Sequence, residues 1–366
     1  MFFIFLSIFI GFTYLFLMLH ITSGWKRLEE EKLSENPSNL FISVVIPFKN
    51  EENNLPELLQ KLSAQFYQNF EVILVNDHSA DNFLQNIAPY ESQIKLFNAA
   101  THGKKGALKQ GIAQAKGDLI VCTDADCSPS PNWLQAIAQY QEKENCDLII
   151  APVQMVAGNT FFSKMQSLEF ASLIATGAGA AAANMPILCN GANLAFTPKA
   201  WQESIVDLKE VEASGDDMFL LMSIKKRKGK IRFLKSAAAI VQTASCETIS
   251  DFFNQRKRWV SKSKSYSDIQ IILVALLVLG VCSAILGALA AGFFNPLFWK
   301  AALFLYLLKL LADISILMPT AKFFRVEKLL IYIPLLELIY PFYVLISVIG
   351  GFLGRFRWKS TTALHE

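Results

Sequence analysis

Residues 2–21, FFIFLSIFIGFTYLFLMLHI, are almost wholly apolar. A bilayer span needs about 20 such residues, so the run is long enough to cross. No Lys or Arg precedes it, whereas Trp25, Lys26 and Arg27 follow it. A cleaved secretory signal has a basic start and a small-residue cleavage site, so the run reads as a retained anchor. The positive-inside rule then puts its start outside and residue 26 onward in the cytoplasm. Three more apolar runs, near 269–292, 297–318 and 329–353, follow the middle of the chain. Arg256, Lys257, Arg258, Lys262 and Lys264 precede the first, and Lys322, Arg325 and Lys328 join the second to the third. Both clusters suit the cytoplasmic side. Arg355, Arg357 and Lys359 disagree, because a full fourth span places them outside. Pro334, Glu337 and Pro341 interrupt the last run, which reads either as a span or as a broken, re-entrant segment.

The expected organisation is an anchor over 1–24, a cytoplasmic domain over 38–247 and an interfacial amphipathic helix over 248–266. Two or three C-terminal spans within 267–356 and a tail over 357–366 complete it. Such a chain is expected to be a multi-pass protein of the cell's inner (plasma) membrane. The hydrophobic fraction of 53% exceeds the ~45–50% of soluble domains, and the excess sits at the two ends. A net charge of +3 is too small to argue for nucleic acid. The six cysteines form no CxxC pair and no His lies at a zinc-like spacing, so they read as reduced thiols.

The middle alternates buried strands with helices. Phe41–Phe48, Phe70–Asn76, Ile94–Asn98, Asp118–Thr123 and Cys146–Val153 read as strands. Leucines at 55, 58, 59 and 62 recur at helical spacing, and Gly103–Lys116 and Pro131–Glu144 read as helices. Continuous apolar strands between helices predict an α/β fold with a mostly parallel sheet covered on both faces. Such sheets bind ligands beyond the carboxyl ends of their strands, where the polar motifs fall. No internal repeat is present, and the Ala/Gly-rich stretch Thr176–Asn184 is the nearest thing to a linker. No G-x-G-x-x-G follows the first strand, which argues against a dinucleotide fold. Gly103-Lys104 lacks the Ser or Thr and the glycine spacing of a P-loop.

Six polar signals remain. PFKNEE (Pro47–Glu52) follows strand one and NDHS (Asn76–Ser79) follows strand two. Carboxylates there can accept a base N–H or a ribose hydroxyl, and they also suit a turn or a helix cap. Asp124-Ala125-Asp126 follows strand four. In extended chain, alternate residues point the same way about 6–7 Å apart, so the two carboxylates can share one hard cation. Read blandly, they are a polar turn. HGKKGAL (His102–Leu108) puts lysines at a helix start, against the helix dipole, which suggests an anion partner such as a diphosphate or else a solvated basic turn. SGDDMFL (Ser214–Leu220) opens an amphipathic helix, where Asp216 and Asp217 are helix-start acids or a proton acceptor for an attacking hydroxyl. QRKRW (Gln255–Trp259) suits an interfacial helix, with Trp259 free to stack and Arg258 free to meet phosphate.

Together, in this order, the signals resemble the family-two glycosyltransferases with the GT-A fold over roughly residues 40–265. That family runs from I-P-x-x-N-E through a D-G-S-like turn, G-K, DxD and E-D to QxxRW. Here these are Ile46–Glu51, Asp77–Ser79, Gly103-Lys104, Asp124–Asp126, Asp216-Asp217 and Gln255–Trp259, and CNGANLAF (Cys189–Phe196) looks like the family's acceptor-side glycine strand. His78 replaces the usual glycine, and Asp216 replaces the usual glutamate. The resemblance implies an inverting hexosyltransferase. Pro47, Glu51 and Asp77 would lie on the donor's nucleoside, read as uridine, and Lys104 on its diphosphate. Asp124 and Asp126 would hold sugar, ribose and Mg²⁺ or Mn²⁺, with Asp126 the better metal ligand. Asp217, beside Asp216, would be the general base. Gly191 would lie on the acceptor side. Gln255, Arg258 and Trp259 would close over the diphosphate, with Trp259 also at the acceptor end. The expected partners are a nucleotide-sugar, a lipid or glycan acceptor and the membrane, without nucleic acid. One N-terminal and a few C-terminal spans look more like the single-sugar, lipid-glycosylating type, such as ceramide glucosyltransferases. A processive polysaccharide synthase is the alternative, and a catalytically silent membrane nucleotide-sugar-binding or scaffold protein stands further off. Lys309 and Asp313, four apart in an apolar run, share a helix face. They are either a mutually neutralising pair or, with Glu337, the lining of an acceptor groove.

Overall fold

Apolar runs of the predicted length become helices and strands close to the expected bounds. The computed structural model describes residues 2–35, 38–205 and 216–353, and two short strands at Phe356–Trp358 and Thr361–Ala363. In chain order the main elements begin with α1 (Phe2–Arg27), β1 (Ile42–Phe48), α2 (Leu55–Ser63), β2 (Phe70–Asn76), α3 (Phe83–Ile87), β3 (Ile94–Asn98) and α4 (Lys104–Gln114). There follow β4 (Leu119–Cys122), β5 (Cys127–Pro129), α5 (Trp133–Glu144), β6 (Leu148–Ile150), β7 (Val153–Val156), α6 (Phe161–Ala182), β8 (Leu194–Phe196) and α7 (Pro198–Ser204). The rest are α8 (Asp216–Lys226), β9 (Ile231–Phe233), β10 (Val241–Ala244), α9 (Ile249–Lys262), α10 (Ile269–Gly292), α11 (Leu297–Ala321) and α12 (Ile333–Leu353).

Two compact units divide these elements. The α/β unit comprises Leu28–Val156 and Leu188–Ala244. Its seven-stranded sheet has the order β3-β2-β1-β4-β8-β6-β9. All neighbours are parallel except β8, which runs antiparallel to β4 and β6. Val44 on the interior strand β1 faces Val72 on one side and Val121 on the other. Every residue of β1 is buried, as a strand covered on both faces requires. Gly111 lets α4 lie close on the sheet, since a Cβ there would stand 2.6 Å from Val45 Cγ1. A smaller sheet, β5-β10-β7, which the sequence does not announce, flanks the large one in chain order.

The helical unit comprises α1, Ala157–Ile187 and the chain from Ser245 onward. Four of its segments are long and apolar enough to cross a membrane: Phe3–Arg27, Ile269–Gly292, Leu297–Ala321 and Glu327–Leu353. The stretch Thr176–Asn184 is no linker. Thr176–Ala182 is the last part of α6, a 22-residue helix. With it, Ala157–Ile187 leaves the continuous domain expected over 38–247 and joins the helices. The reason lies in its small residues. A Cβ at Gly24 would stand 2.0 Å from Gly179 O, and one at Gly179 would stand 2.3 Å from Ile21 O, so α1 and α6 cross backbone to backbone.

Polar groups bind α1 and α12 to α11. Tyr14 donates to Asp313 at 2.5 Å, and the Thr22 and Ser315 hydroxyls meet at 3.0 Å. Lys309 donates to Asp313 at 2.5 Å and to Glu337, with its ammonium 4.0 Å from the Tyr340 ring centroid. The Lys309 side chain is 0% exposed and that of Glu337 3%. Both acids are bonded to Lys309 inside protein, which supports the structural reading of Lys309 and Asp313, enlarged by Glu337, over the groove. α12 continues unbroken through Pro341. Near its start, the Pro334 carbonyl accepts from Tyr306 at 2.9 Å and Glu337 meets Lys309, the midpoint of α11. Its far end lies on α9. A Cβ at Gly350 would stand 2.6 Å from Lys257 Cε, and Lys264 donates to Phe352 O at 3.0 Å.

Candidate functional site

The polar loops after β1 and β2 are stitched together before any ligand is considered. Asn50 N donates to Ser79 Oγ at 2.9 Å, Ala80 N to Asn50 Oδ1 at 2.8 Å, and Asp77 N to Phe48 O at 2.8 Å. Pro47 is buried at the end of β1. Glu51 is 7% exposed, and its Oε2 accepts from Asn54 Nδ2 at 2.6 Å.

Asp77 is the most buried of the site acids, at 1% exposure. Its Oδ1 accepts from Gly103 N at 2.8 Å. Its Oδ2 is buried and has no hydrogen-bond partner among the described residues. A buried unpartnered carboxylate oxygen is costly unless something completes it. Gly103 adopts φ +100, a conformation that only glycine holds without strain, and this turns its N–H onto Asp77. His78, in the place of the family's glycine, also takes a left-handed φ of 54. Its ring stacks on His102 with centroids 3.8 Å apart. Ligating atoms of Asp77, His78 and His102 lie within 4.8 Å of one another. Rings stacked 26° from parallel aim their nitrogen lone pairs alongside each other rather than at one point, which disfavours joint ligation of an ion.

Gly103 precedes α4, whose first residue is Lys104. Lys104 Nζ is paired with Asp124 Oδ1, so the anion at this helix start is a carboxylate of the chain itself. The two side chains are 29% and 33% exposed, so the pair is solvent-screened and easily exchanged for other partners. Asp124 to Asp126 is not extended chain. It forms a turn joining β4 to β5, closed by Cys127 N on Asp124 O at 3.2 Å, with Ala125 buried and Asp126 exposed. The alternation argument for a shared face therefore fails, although both acids still border one turn. Burial, then the Asp124 and Asp126 carboxylates, push the Cys127 thiol well above its ordinary pKa.

Asp217 opens α8. Its Oδ2 accepts from Gly191 N at 3.2 Å and its Oδ1 from Met218 N at 2.8 Å. Asp216 begins the same helix, and its side chain lies outside the described residues. Buried Lys105 of α4 places Nζ 5.9 Å from the Phe219 ring centroid, which brings α8 beside α4. Contacts thus link Asp77, Gly103, Lys104 and Asp124 directly, and Lys105 extends the set to the helix of Asp217. Asn193 is the residue that sequence reasoning passed over. Fully buried, it accepts from Trp133 Nε1 at 2.9 Å and donates to Pro152 O and Ala239 O, each at 2.8 Å. An amide inside CNGANLAF, next to an apolar strand, was the available signal. Gln255, Arg258 and Trp259 lie on α9 of the helical unit, each half-buried.

Residues 43–199 match the profile of Glycosyl transferase family 2. This segment is a family 2 domain. An undecaprenyl-phosphate 4-deoxy-4-formamido-L-arabinose transferase of Pseudomonas fluorescens is 34% identical over 110 residues, 28% of this chain and 32% of the relative. The protein of the same name from Serratia proteamaculans is 31% identical over 134 residues, 34% of this chain and 40% of the relative. The chain thus spans about a third of the length of these curated relatives. Among solved structures, the mannosyltransferase PcManGT of Pyrobaculum calidifontis, in complex with GDP-Man and Mn²⁺, superposes with TM-score 0.54 at 15% identity, over 96% of this chain and 99% of that one. The likeness shows the fold, so the family 2 domain has the GT-A architecture, a mostly parallel sheet with β8 reversed.

Proposed function

We propose that this protein is an inverting glycosyltransferase that moves a sugar from a nucleotide-sugar, first of all a UDP-sugar, to a membrane lipid. The observation that carries the reading is the contact chain from Asp77 through Gly103 and Lys104 to Asp124 at the carboxyl ends of parallel strands, with one buried Asp77 oxygen unpartnered. That oxygen suits a base N–H, and Glu51 stands on the neighbouring loop. Lys104 is placed to exchange Asp124 for a donor phosphate. Two carboxylates at one turn, Asp124 and exposed Asp126, are a hard donor set that fits Mg²⁺ or Mn²⁺. When bound, such an ion neutralises charge on the departing diphosphate. Mn²⁺ in the PcManGT complex supports this choice.

Asp217 is the general base. Its carboxylate is held by two backbone N–H groups and takes the proton of the attacking acceptor hydroxyl. Direct displacement at the anomeric carbon inverts its configuration. Gly191 leaves the space before Asp217 open, since a Cβ there would sit in ordinary contact, 3.7 Å from the carboxylate. Gln255, Arg258 and Trp259 take the diphosphate and acceptor roles that the family resemblance gives them. The relatives are named for undecaprenyl phosphate, and four apolar helices accompany the domain, both of which support a lipid acceptor.

The chain sits in the cell's inner membrane with residue 26 onward in the cytoplasm. The contacts of α12 support a re-entrant segment, running from the depth of α11's midpoint back to basic α9. Arg357 then stays on the cytoplasmic side with the other basic clusters, as the positive-inside rule asks, while Arg355 and Lys359 lie outside the described residues. Membranes carrying the protein, incubated with a panel of labelled nucleotide-sugars and Mn²⁺ and then extracted with organic solvent, test the whole reading. Label in the organic phase is expected. Label in insoluble polymer favours a synthase, and no transfer from any donor overturns the enzyme.

A further inference from the structure

Within Gln255–Trp259 the family resemblance leaves Arg256 without a role, yet Arg256 is the buried member, at 4% exposure. Its Nη2 donates to Glu169 Oε2 on α6. The other oxygen of Glu169 accepts from the Tyr343 hydroxyl on α12 at 2.8 Å. One carboxylate thus joins three helices. Phe252, Arg256 and Trp259 follow each other at four- and three-residue spacing and share one face of α9. The guanidinium carbon lies 4.7 Å from the Phe252 ring centroid and 4.3 Å from that of Trp259. Arg256 Nε and Nη1 have no hydrogen-bond partner among the described residues. A single carboxylate and two rings therefore hold this cation. Trp259 also meets Phe170, likewise from α6, with centroids 6.3 Å apart.

We propose that Arg256 and Glu169 are a positioning pair that sets the orientation of the Trp259 ring for transfer. This rests on the function proposed above. A buried ion pair gives little net stability compared with apolar side chains of equal volume, and here two N–H groups are desolvated as well. What it adds is direction. The planar guanidinium, fixed by Glu169, offers Trp259 a flat face at one angle, and a lysine in its place keeps the charge without that face. Arg256 touches neither donor nor acceptor in this scheme and acts through Trp259 alone. Its anchor lies on α6, the helix that joins the family 2 domain's own strands β7 and β8 in sequence.

The test uses the full chain in detergent, with Arg256→Lys, Glu169→Gln and the double variant, each also made with Trp259→Phe. Two readouts are taken. One is steady-state transfer. The other is the emission of Trp259 and its quenching by acrylamide, obtained by subtracting the Trp259→Phe background. Arg256→Lys is expected to lower kcat about tenfold or more, as misplacement of a positioned group does, with donor affinity within about twofold. It is also expected to shift Trp259 emission and raise its quenching. Glu169→Gln should move both readouts the same way by less, and the double variant should be no worse than Arg256→Lys. A folded Arg256→Lys protein with kcat within about twofold of the parent overturns the proposal. So does unmoved Trp259 emission. If Arg256→Lys fails to fold, Glu169→Gln decides by the same two criteria. The emission readout needs no turnover. A parent chain that transfers no sugar therefore overturns the proposed function, while Trp259 emission still reports whether the pair orients the ring.

Discussion

Lys104 and Lys309 are two of the lysines that bridge to carboxylates, and their settings could hardly differ more. Lys104 meets Asp124 with about a third of each side chain open to water, beside an Asp77 oxygen without a hydrogen-bond partner among the described residues. Lys309 is sealed off, shared by Asp313 and Glu337, covered by the Tyr340 ring and backed by Tyr14. The first is weakly held and unfinished, which is how a site waiting for a charged ligand looks. The second is complete and leaves no coordination to spare, which is how a structural clamp looks. Charge in an unusual place is therefore a poor guide to function until its partners are counted.

The sharpest way to break the contrast is at Asp126, the proposed metal ligand. Asp126→Asn is expected to abolish transfer and to weaken metal-dependent donor binding, while the melting temperature stays put. Titration of the donor at saturating Mn²⁺ checks it, and near-normal activity would remove the metal role. Asp217→Asn comes next, with turnover down by about 10²-fold or more and donor affinity nearly intact, as loss of a general base requires. Rapid-quench turnover and equilibrium donor binding on the same preparation separate the two quantities.

The clamp should respond in the opposite currency, stability. Lys309→Leu alone strands two buried carboxylates and is expected to cost about 3–5 kcal/mol. Replacing Lys309, Asp313 and Glu337 together by leucine should recover most of that loss, because no charge is left unpaired. Thermal unfolding in detergent gives the order, and a triple variant less stable than the single one would show that the charges do more than cancel. The smallest effect concerns Cys127. Its raised thiol pKa leaves little thiolate near neutrality, and it is buried, so native protein should alkylate there far more slowly than denatured protein. Peptide mapping after maleimide treatment at pH 7 and pH 9 measures it. Equal labelling in native and denatured chain at pH 7 would mean that the DxD turn is open.

Much of the α/β unit was legible because its signals are local. β1, β2 and β4 are short apolar runs, and each ends in the acid that matters, so Glu51, Asp77 and Asp124 could be placed at strand ends without coordinates. The partners of those acids were not legible. Lys104 and Asp124 are twenty residues apart, and only the packed sheet brings them together. The same holds for Tyr14, at the other end of the chain from Asp313, whereas Glu337 is already grouped with Lys309 in the sequence, as a groove lining rather than an ion-pair partner. The DxD geometry was misjudged because a polar triplet after a strand gives no sign of whether the strand continues or turns. α6 was missed for a different reason. It is buried nearly all round, with Gln166 and Glu169 among its buried residues, so it shows no one-sided apolar periodicity, and its small residues imitate a flexible connection.

Because α6 lies inside the residues that match the family 2 profile, trimming the ends of the chain does not remove it. A truncated chain lacking α1 and everything after Ala244 would still carry a 22-residue apolar helix, stripped of the α1 surface into which Gly179 fits. The practical cut is internal, with a short polar loop joining Val156 to Leu188. Evolutionary shuffling meets the same obstacle. An α/β unit with a helix of the other unit threaded through its sequence does not pass to another protein by a simple end-to-end fusion.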